Sequence, residues 1–393
     1  MTSDHTPQTE EELADIIKEA AASGNTIRIK AGGSRQALGH HTETSRSLST
    51  TAMSGVTHYN PGALSLVVKA GTPVSSLDQI LAESGQRLAF EPMDYRAILK
   101  TESTEPTIGG VVACGISGPR RIRVGACRDA LIGVRFVNGK GEIIKNGGQV
   151  MKNVTGYDLV KFMSGSFGTL GVLTELSFKT SPLPETEATF VITGMDEITA
   201  NRYMSKALQK PLDITGAAHI PSEEAKTYLR LEGPADFVAT RINALQNLLD
   251  AQYKTEVLYN HDNTEVWKNI RDVNLFAEEQ GDIWKISVKP TDGPLYMKDL
   301  KEKISCQHYY DWAGGLIWLL TSDNTEETAL PVRNTLEKFG GHATLVRASD
   351  SVRKTVPVFQ PEPSVLESLS MRIKNKFDPG AILNPGILKN IQA

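Results

Sequence analysis

Residues 107–121 read TIGGVVACGISGPRR, and this glycine-rich stretch has counterparts elsewhere in the first half of the chain. AGGS (31–34) precedes it and GSFGTLG (165–171) follows it. Adjacent glycines let the backbone take positive φ and approach another group closely. Next to Ser and Thr hydroxyls, such turns supply the donors and free space that a diphosphate with its ribose needs. The alternative is that these glycines serve only the tight turns of a β-rich fold.

Two common nucleotide-binding motifs are missing from the sequence. No G-x-x-x-x-G-K-[ST] occurs, which argues against a P-loop site. Gly165, Gly168 and Gly171 are spaced by three and do not form G-x-G-x-x-G. No βαβ unit opens the chain, as a Rossmann domain would require. A dinucleotide would therefore need a different fold.

Length and composition describe an ordinary globular protein of two or more domains, with 393 residues, 40% of them apolar and 22% charged. The net charge of −4 implies no general attraction to nucleic acid, and no nucleic-acid partner is expected. The three cysteines, Cys114, Cys127 and Cys306, are far apart and form no C-x-x-C pair. We therefore expect no cysteine-ligated zinc or iron–sulfur site, no metal, and a reducing compartment.

The first residues, MTSDHTPQTEEELADIIKEA, are acidic and show no signal-peptide core. No apolar run reaches the roughly 20 residues that span a bilayer. The expected location is the cytoplasm, with any contact to the inner face of the cell membrane made through partners.

Local signals indicate the secondary structure. Thr9–Glu12 is typical of a capping box that opens a helix, and a strand is expected over Thr26–Lys30. Asn138-Gly139-Lys140-Gly141 predicts a hairpin turn between strands Ile132–Val137 and Glu142–Lys145. After the SPLPE boundary at 181–185, alternating strands and helices predict an α+β domain with a mainly antiparallel sheet.

Four segments together resemble a known family: IKAGGSR (29–35), TIGGVVACGISGPRR (107–121), VMKNVTGYDLVKFMSGSFGTLGVLTE (150–175) and FDPGAILNPGIL (377–388). They are similar to the motifs of the PCMH-type (vanillyl-alcohol-oxidase-like) FAD-binding domain. Within that superfamily, the chain most resembles the GlcE-type FAD-binding subunits of bacterial glycolate oxidase. The implied fold class is α+β. It comprises an FAD-binding domain of two α/β subdomains (1–184), a second α+β domain with a mainly antiparallel sheet (185–362) and a C-terminal segment that returns to the FAD domain (363–393).

The resemblance implies which residues contact FAD. The first glycine turn would hold the diphosphate, the second segment would run toward the flavin, and the third would lie near the adenosine half. Tyr157 and Asp158 would be local supports, or merely an ordinary helix start. The expected cofactor residues are Gly32, Gly33, Ser34, Thr107, Ile108, Gly109, Gly110, Gly115, Gly118, Gly165, Gly168, Thr169, Gly171 and Val172.

Two departures from the family pattern bear on function. Many relatives carry a histidine where this chain has Ser34, and that histidine can bond covalently to the flavin. A serine cannot, so FAD is expected to be non-covalent. An H-x-G-D-G-N-like stretch of hydroxy-acid-oxidising relatives is also absent, and Gly341-His342-Ala343 is the nearest piece.

Oxidation of a 2-hydroxy acid needs a base, cations for the carboxylate and a hydride acceptor. Lys285, His342 and Arg347 are the candidate catalytic residues, against the alternative that each is structural or solvated. In WAGGLIWLL (312–320), Ile317 stands where the family pattern suggests a basic residue, which weakens the case for a separate hydroxy-acid site.

The resemblance implies an FAD-dependent oxidoreductase subunit that converts glycolate to glyoxylate. Its expected partners are a second FAD subunit, an iron–sulfur subunit and a small 2-hydroxy acid. One alternative is a non-catalytic subunit that holds flavin or relays electrons in the same complex. Another is a stand-alone FAD oxidoreductase for a different hydroxy acid or alcohol.

Overall fold

The structure is a computed structural model that describes residues 3–101, 104–148, 158–321 and 326–388. In chain order, its first elements are β1 (Ser3–His5), α1 (Glu10–Ser23), β2 (Ile27–Lys30), β3 (Arg46–Ser49), β4 (Val56–Asn60), β5 (Ser65–Lys69), α2 (Val74–Glu83), β6 (Gln86–Leu88), α3 (Arg96–Leu99), α4 (Ile108–Cys114), α5 (Arg121–Val124), α6 (Cys127–Ala130), β7 (Leu131–Val137), β8 (Ile143–Gly147), α7 (Leu159–Met163) and β9 (Val172–Pro182).

The later elements begin directly after this last strand. They are β10 (Thr186–Thr193), α8 (Glu197–Leu208), β11 (Ile214–Ile220), β12 (Lys226–Gly233), α9 (Ala235–Asn247), β13 (Lys254–Tyr259), α10 (Asn260–Arg271), β14 (Asp282–Ser287), α11 (Gly293–Lys301), β15 (Cys306–Asp311), β16 (Leu316–Thr321), α12 (Glu326–Glu337), β17 (His342–Arg347), α13 (Asp350–Thr355) and α14 (Ser364–Phe377).

The predicted first helix is confirmed. Thr9 is its N-cap, and the Thr9 hydroxyl accepts from the Glu12 amide at 3.1 Å. The Glu12 carboxylate accepts from the backbone of Gln8, not of Thr9, so only half of the capping box forms as expected. Gly24 ends the helix in the left-handed conformation.

The predicted hairpin is also confirmed, with β7 and β8 paired antiparallel. Its turn is held by Asn138, whose side-chain oxygen accepts from the amides of Lys140 and Glu142 at 2.9 and 3.0 Å. Gly141 takes a φ of +75°, which explains the glycine there.

The chain divides into two compact units. The first contains residues 3–117, Gly125–Leu183 and residues 361–388, and the second contains Gly118–Val124 and Pro184–Gln360. The short segment Gly118–Val124 therefore belongs to the second unit. There, Arg120 pairs with Glu187 and Glu232 at 3.0 and 2.7 Å.

The first unit has two sheets. One is parallel, in the order β1-β3-β2, and packs on α1 through buried residues such as Leu13, Ile17 and Leu48. The expectation that no βαβ unit opens the chain is therefore wrong, because β1 and β2 are parallel strands of one sheet joined by α1; β1 has only three residues, too short for a sequence signal. The other runs β4-β5-β9-β7-β8, with β6 paired to β9, and its pairs are antiparallel. Leu383, which follows α14, bridges in parallel to Ile27 at the end of the parallel sheet.

The second unit is built on one antiparallel sheet in the order β13-β10-β12-β11-β15-β16-β14-β17. Helices α8 and α9 pack on one half, and α11 and α12 pack on the other. Because successive side chains of a strand point to opposite faces, Trp284 and Ile286 enter the core beneath α11 and α12 while Lys285 lies on the opposite face. The expected α+β class with a mainly antiparallel second sheet is confirmed.

Candidate functional site

The first unit contains an open cavity with about 750 Å³ of empty space, part of which is solvent at its mouth. The three glycine segments converge on it. Nine of the expected cofactor residues line its wall: Gly32, Gly33, Ser34, Thr107, Gly109, Gly110, Gly168, Gly171 and Val172.

The first glycine turn follows β2. Gly33 has a φ of +88°, and a Cβ on Gly32 would lie only 1.7 Å from the carbonyl oxygen of Glu105, so neither position tolerates a side chain without movement. In the described part of the chain, the amides of Gly32, Gly33 and Ser34 donate to no backbone acceptor. Three successive amides are therefore available to an anion at the cavity wall.

The second segment enters α4. Thr107 is its N-cap, and its hydroxyl accepts from the Gly110 amide at 3.3 Å. A Cβ on Gly109 would lie 2.6 Å from the Ala70 carbonyl oxygen, so this glycine lets the helix pack against the neighbouring chain. At Gly110, a Cβ would make only ordinary contacts, at 3.4 Å from the Thr107 hydroxyl and 3.5 Å from a terminal nitrogen of Arg35.

The third segment is tied to the second by backbone hydrogen bonds. Gly165 donates to the Val112 carbonyl at 3.0 Å, and Phe167 donates to that of Ala113 at 2.8 Å. Thr169 does not line the cavity, because its hydroxyl donates to Ser166 within the turn. The segment thus positions Gly168 at the wall through a supporting network.

Asn384 joins the C-terminal segment to the cavity wall. Its side-chain oxygen accepts from the Ile29 amide at 2.8 Å, and its nitrogen donates to the Phe167 carbonyl at 2.7 Å. The buried Asn384 amide therefore links the first and third glycine segments, which lie far apart in the sequence.

The remaining expected residues have other positions. Ile108, Gly115 and Gly165 lie behind the wall, and Gly118 belongs to the second unit. Tyr157 lies outside the described residues. Asp158 caps α7, where its carboxylate accepts from the Lys161 amide at 3.3 Å, as an ordinary helix start would.

The cavity wall also carries residues that the motifs did not indicate. Arg28, Lys30 and Arg35 add positive charge, and Cys114 lies beside them. Arg35 comes directly after the glycine turn, which is the one sequence signal that could have identified it. A dinucleotide diphosphate fits this wall for three reasons. The wall offers amides to an anion, it is crowded enough at some positions to admit only glycine, and cations lie nearby.

A second cluster lies in the second unit, on the sheet face away from α11 and α12. The Lys285 ammonium lies 5.6 Å from the ring centre of Trp312 and 5.9 Å from that of Trp318. The Arg121 guanidinium lies 4.5 Å from the Trp312 ring. In the described residues, Lys285 has no hydrogen-bonded or ion-paired acceptor, so cation–π contacts hold this charge.

The charges of this cluster perturb one another. Burial, and then the nearby Arg121, lower the pKa of Lys285 to about 8, against a smaller opposing effect of Asp311. Burial lowers the pKa of His342, and Lys285 and Arg121 lower it further. His342 is therefore neutral at pH 7, while Lys285 is mostly charged.

Arg347, the third candidate, is bound elsewhere. Its guanidinium donates to the carbonyls of Phe276, Glu279 and Gly281 at 3.1, 2.6 and 3.2 Å. These bonds anchor the loop before β14. A catalytic role for Arg347 stays a prediction that its contacts do not favour.

Comparison with known proteins gives the family. A family model described as "FAD binding domain" matches residues 5–147. Glycolate oxidase subunit GlcE of Escherichia coli (strain K12) is 32% identical over 378 residues, which cover 95% of each chain. Glycolate oxidase subunit GlcD of Bacillus subtilis (strain 168) is 34% identical over 149 residues, which cover 38% of this chain and 29% of that one.

The fold is shared more widely. The solved structure of 4-ethylphenol oxidase from Gulosibacter chungangensis matches with a TM-score of 0.72 over 98% of this chain and 89% of that one, at 14% sequence identity. The match to GlcE, at 32% identity over 95% of both chains, shows a family relationship, whereas the match to the oxidase structure shows the fold alone. The chain therefore belongs to the family of glycolate oxidase subunit GlcE, and its first unit carries a PCMH-type FAD-binding domain.

Proposed function

We propose that this chain is the FAD-binding subunit of a glycolate oxidase or dehydrogenase complex and oxidises glycolate to glyoxylate. The observation that carries the proposal is the cavity on which the glycine segments converge, with the amides of Gly32, Gly33 and Ser34 at its wall, which donate to no backbone acceptor among the described residues. Similarity to glycolate oxidase subunit GlcE over 95% of the chain supports glycolate as the substrate.

In this proposal, residues 1–184 and 363–393 form the cofactor domain and residues 185–362 the substrate-side domain. The cavity glycines hold FAD, and Ile108, Gly115, Gly165 and Thr169 support the wall. Gly118 stays a predicted cofactor residue. Ser34 is buried and its hydroxyl accepts from Arg35 at 3.3 Å. Because serine cannot replace the histidine that bonds to the flavin in other members, the proposed binding is non-covalent.

The cationic cluster of the second unit is the proposed hydroxy-acid site. Arg121 and Lys285 bind the substrate carboxylate, since Trp312 and Trp318 already orient both cations. The neutral imidazole of His342 takes the hydroxyl proton on a ring nitrogen. When bound, FAD supplies the acceptor for the hydride that leaves the carbon carrying the hydroxyl group.

Partners follow from the chemistry and the similarities. The names of the GlcE and GlcD relatives support a complex of several subunits. A second FAD subunit and an iron–sulfur subunit that receives the electrons are proposed as its other members, as the family resemblance implies. No helix in the described ranges is long and apolar enough to cross a membrane. The proposed location remains the cytoplasm, with membrane contact only through partners.

Anaerobic addition of glycolate to the flavin-loaded chain tests the proposal. We expect the flavin absorption to bleach with the isolated chain. Bleaching only when the other subunits are present would favour the non-catalytic alternative, which the missing H-x-G-D-G-N-like stretch also favours. Bleaching by another hydroxy acid or an alcohol, and not by glycolate, would favour the stand-alone oxidoreductase.

A further inference from the structure

Arg35 follows the first glycine turn and lines the cavity with its partly buried side chain. Its terminal nitrogens are fixed at two points: one donates to the Met93 carbonyl at 3.1 Å and the other to the Ser34 hydroxyl at 3.3 Å. Its Nε is buried and has no hydrogen-bond partner among the described residues. The guanidinium is thus held in one position with donor capacity left over.

The charge of Arg35 is also without a bonded counter-ion in the described chain. Asp94 is the nearby acid, but its carboxylate accepts from Arg96 at 2.9 and 2.7 Å. Burial lowers the pKa of Arg35, which shows that its environment disfavours the charge. A desolvated cation of this kind is costly unless an anion pairs with it.

Gly110 lies next to this cation at the cavity wall. One terminal nitrogen of Arg35 is 3.5 Å from where a Cβ on Gly110 would sit, and Thr107 and Ser34 border the same region. The amides of the first turn, which donate to no backbone acceptor in the described ranges, belong to the same wall. An anion bound by those amides would therefore lie within the surroundings of the guanidinium.

We propose that Arg35 binds the diphosphate of FAD, supplying the charged donor that the backbone amides of the glycine turn cannot. This inference rests on the proposed FAD function. A planar guanidinium matches phosphate oxygens with two parallel donors, whereas lysine offers a point charge. The alternative target within FAD is the ring system, which becomes negative on reduction.

The test uses the full chain, freed of flavin and titrated calorimetrically with FAD and with riboflavin, which lacks phosphate. We expect Arg35→Gln to weaken FAD binding by about ten- to a hundredfold and to leave riboflavin binding unchanged. Arg35→Lys should recover part of the loss. Arg46→Gln, which removes an outer ion pair with Glu19, is the matched control and should bind FAD as the unsubstituted chain does.

Three results would overturn the inference. One is equal FAD affinity in the Arg35→Gln chain and the unsubstituted chain. Another is an equal loss for riboflavin and FAD, together with a shifted reduction potential, which would assign Arg35 to the ring system. The third is an unsubstituted chain that binds no FAD, which would refute the proposed function as well. Melting temperatures of the flavin-free variants separate lost binding from lost folding.

Discussion

At the scale of single residues, the glycines of the cavity fall into two kinds. Gly109 lets two backbones meet, because its Cβ would lie 2.6 Å from the Ala70 carbonyl oxygen. Gly110 lines the cavity, and a methyl group there would make only ordinary contacts, with Thr107 and Arg35. Gly109 is therefore required by the packing of the fold, and its neighbour Gly110 by the space that the cofactor needs.

This distinction predicts opposite effects of two alanine substitutions. Gly109→Ala should destabilise the flavin-free chain by about 1–3 kcal/mol, because the backbone of Ala70 must move. Gly110→Ala should leave that stability unchanged or raise it, and should weaken FAD binding. Thermal unfolding and FAD titration measure the two effects. Gly148→Ala, which meets no atom within 4 Å, is the neutral control, and equal unfolding curves for Gly109→Ala and Gly148→Ala would contradict the prediction.

Lys285 gives a prediction for pH dependence. Its pKa of about 8 means that the ammonium loses its proton as the pH rises through 8, so kcat/KM for glycolate should fall above that pH. Lys285→Arg should abolish this decline, since a guanidinium stays charged. Lys285→Met should lower kcat/KM by about ten- to a hundredfold, mainly through KM.

The control for these variants is Lys298→Met, which removes an exposed charge from α11. Steady-state kinetics between pH 6 and pH 10, at roughly unit intervals, would measure kcat/KM for the unsubstituted chain and for each of these variants. The same alkaline decline in Lys285→Arg as in the unsubstituted chain would exclude Lys285 as its source.

At the scale of elements, the C-terminal segment closes the first unit through Asn384. The side chain is buried and bridges Ile29 to Phe167. Asp378 stabilises the segment before it by accepting from the amides of Ile382 and Leu383 at 3.2 and 2.9 Å. Residues at the end of the chain thus position the first and third glycine segments.

Asn384→Ala should therefore destabilise the chain by about 1–3 kcal/mol, because two partly buried backbone groups lose their partners. Asn384→Asp keeps the acceptor for Ile29 but places a second oxygen against the Phe167 carbonyl, so it should destabilise the chain as well. Chemical unfolding measures both, with the exposed Asn247→Ala as the control. A midpoint for Asn384→Ala equal to that of Asn247→Ala would show that the bridge contributes nothing.

Helix caps, turns and strands that depend on nearby residues could be predicted from the sequence. Contacts between residues far apart in the sequence could not. The Thr9 cap, the Asn138 turn and the strand expected over Thr26–Lys30 follow from short-range patterns, and the structure has each of them, the strand as Ile27–Lys30. Arg35 and Arg121 escaped prediction because Met93 and Trp312, which contact them, lie far away in the sequence. No local sequence pattern predicts a contact between residues so far apart.

The position of Ile317 shows the same limit. Its side chain is fully buried in the core with α11 and α12, whereas its neighbour Trp318 lies on the face with Lys285. A basic residue at 317 would enter that core, so its absence does not count against a hydroxy-acid site. Strand alternation was predictable from the sequence, but which face carries the helices was not.

At the scale of the whole molecule, each of the two units contains a different candidate binding site. The first presents amides and cations at a glycine-lined cavity, and the second presents Lys285 and Arg121 over tryptophan rings. Membership of the GlcE family accounts for the first as an FAD site. The second is proposed to bind the carboxylate of the substrate.

The most direct test of the account is the visible absorption spectrum of the gently purified chain, taken before and after acid precipitation. The account predicts flavin absorption in the native sample and its complete transfer to the supernatant, because Ser34 cannot form a covalent bond to the flavin. Flavin that stays with the precipitate would refute non-covalent binding. A native chain that shows no flavin absorption, even after incubation with FAD and removal of the excess, would contradict the central claim.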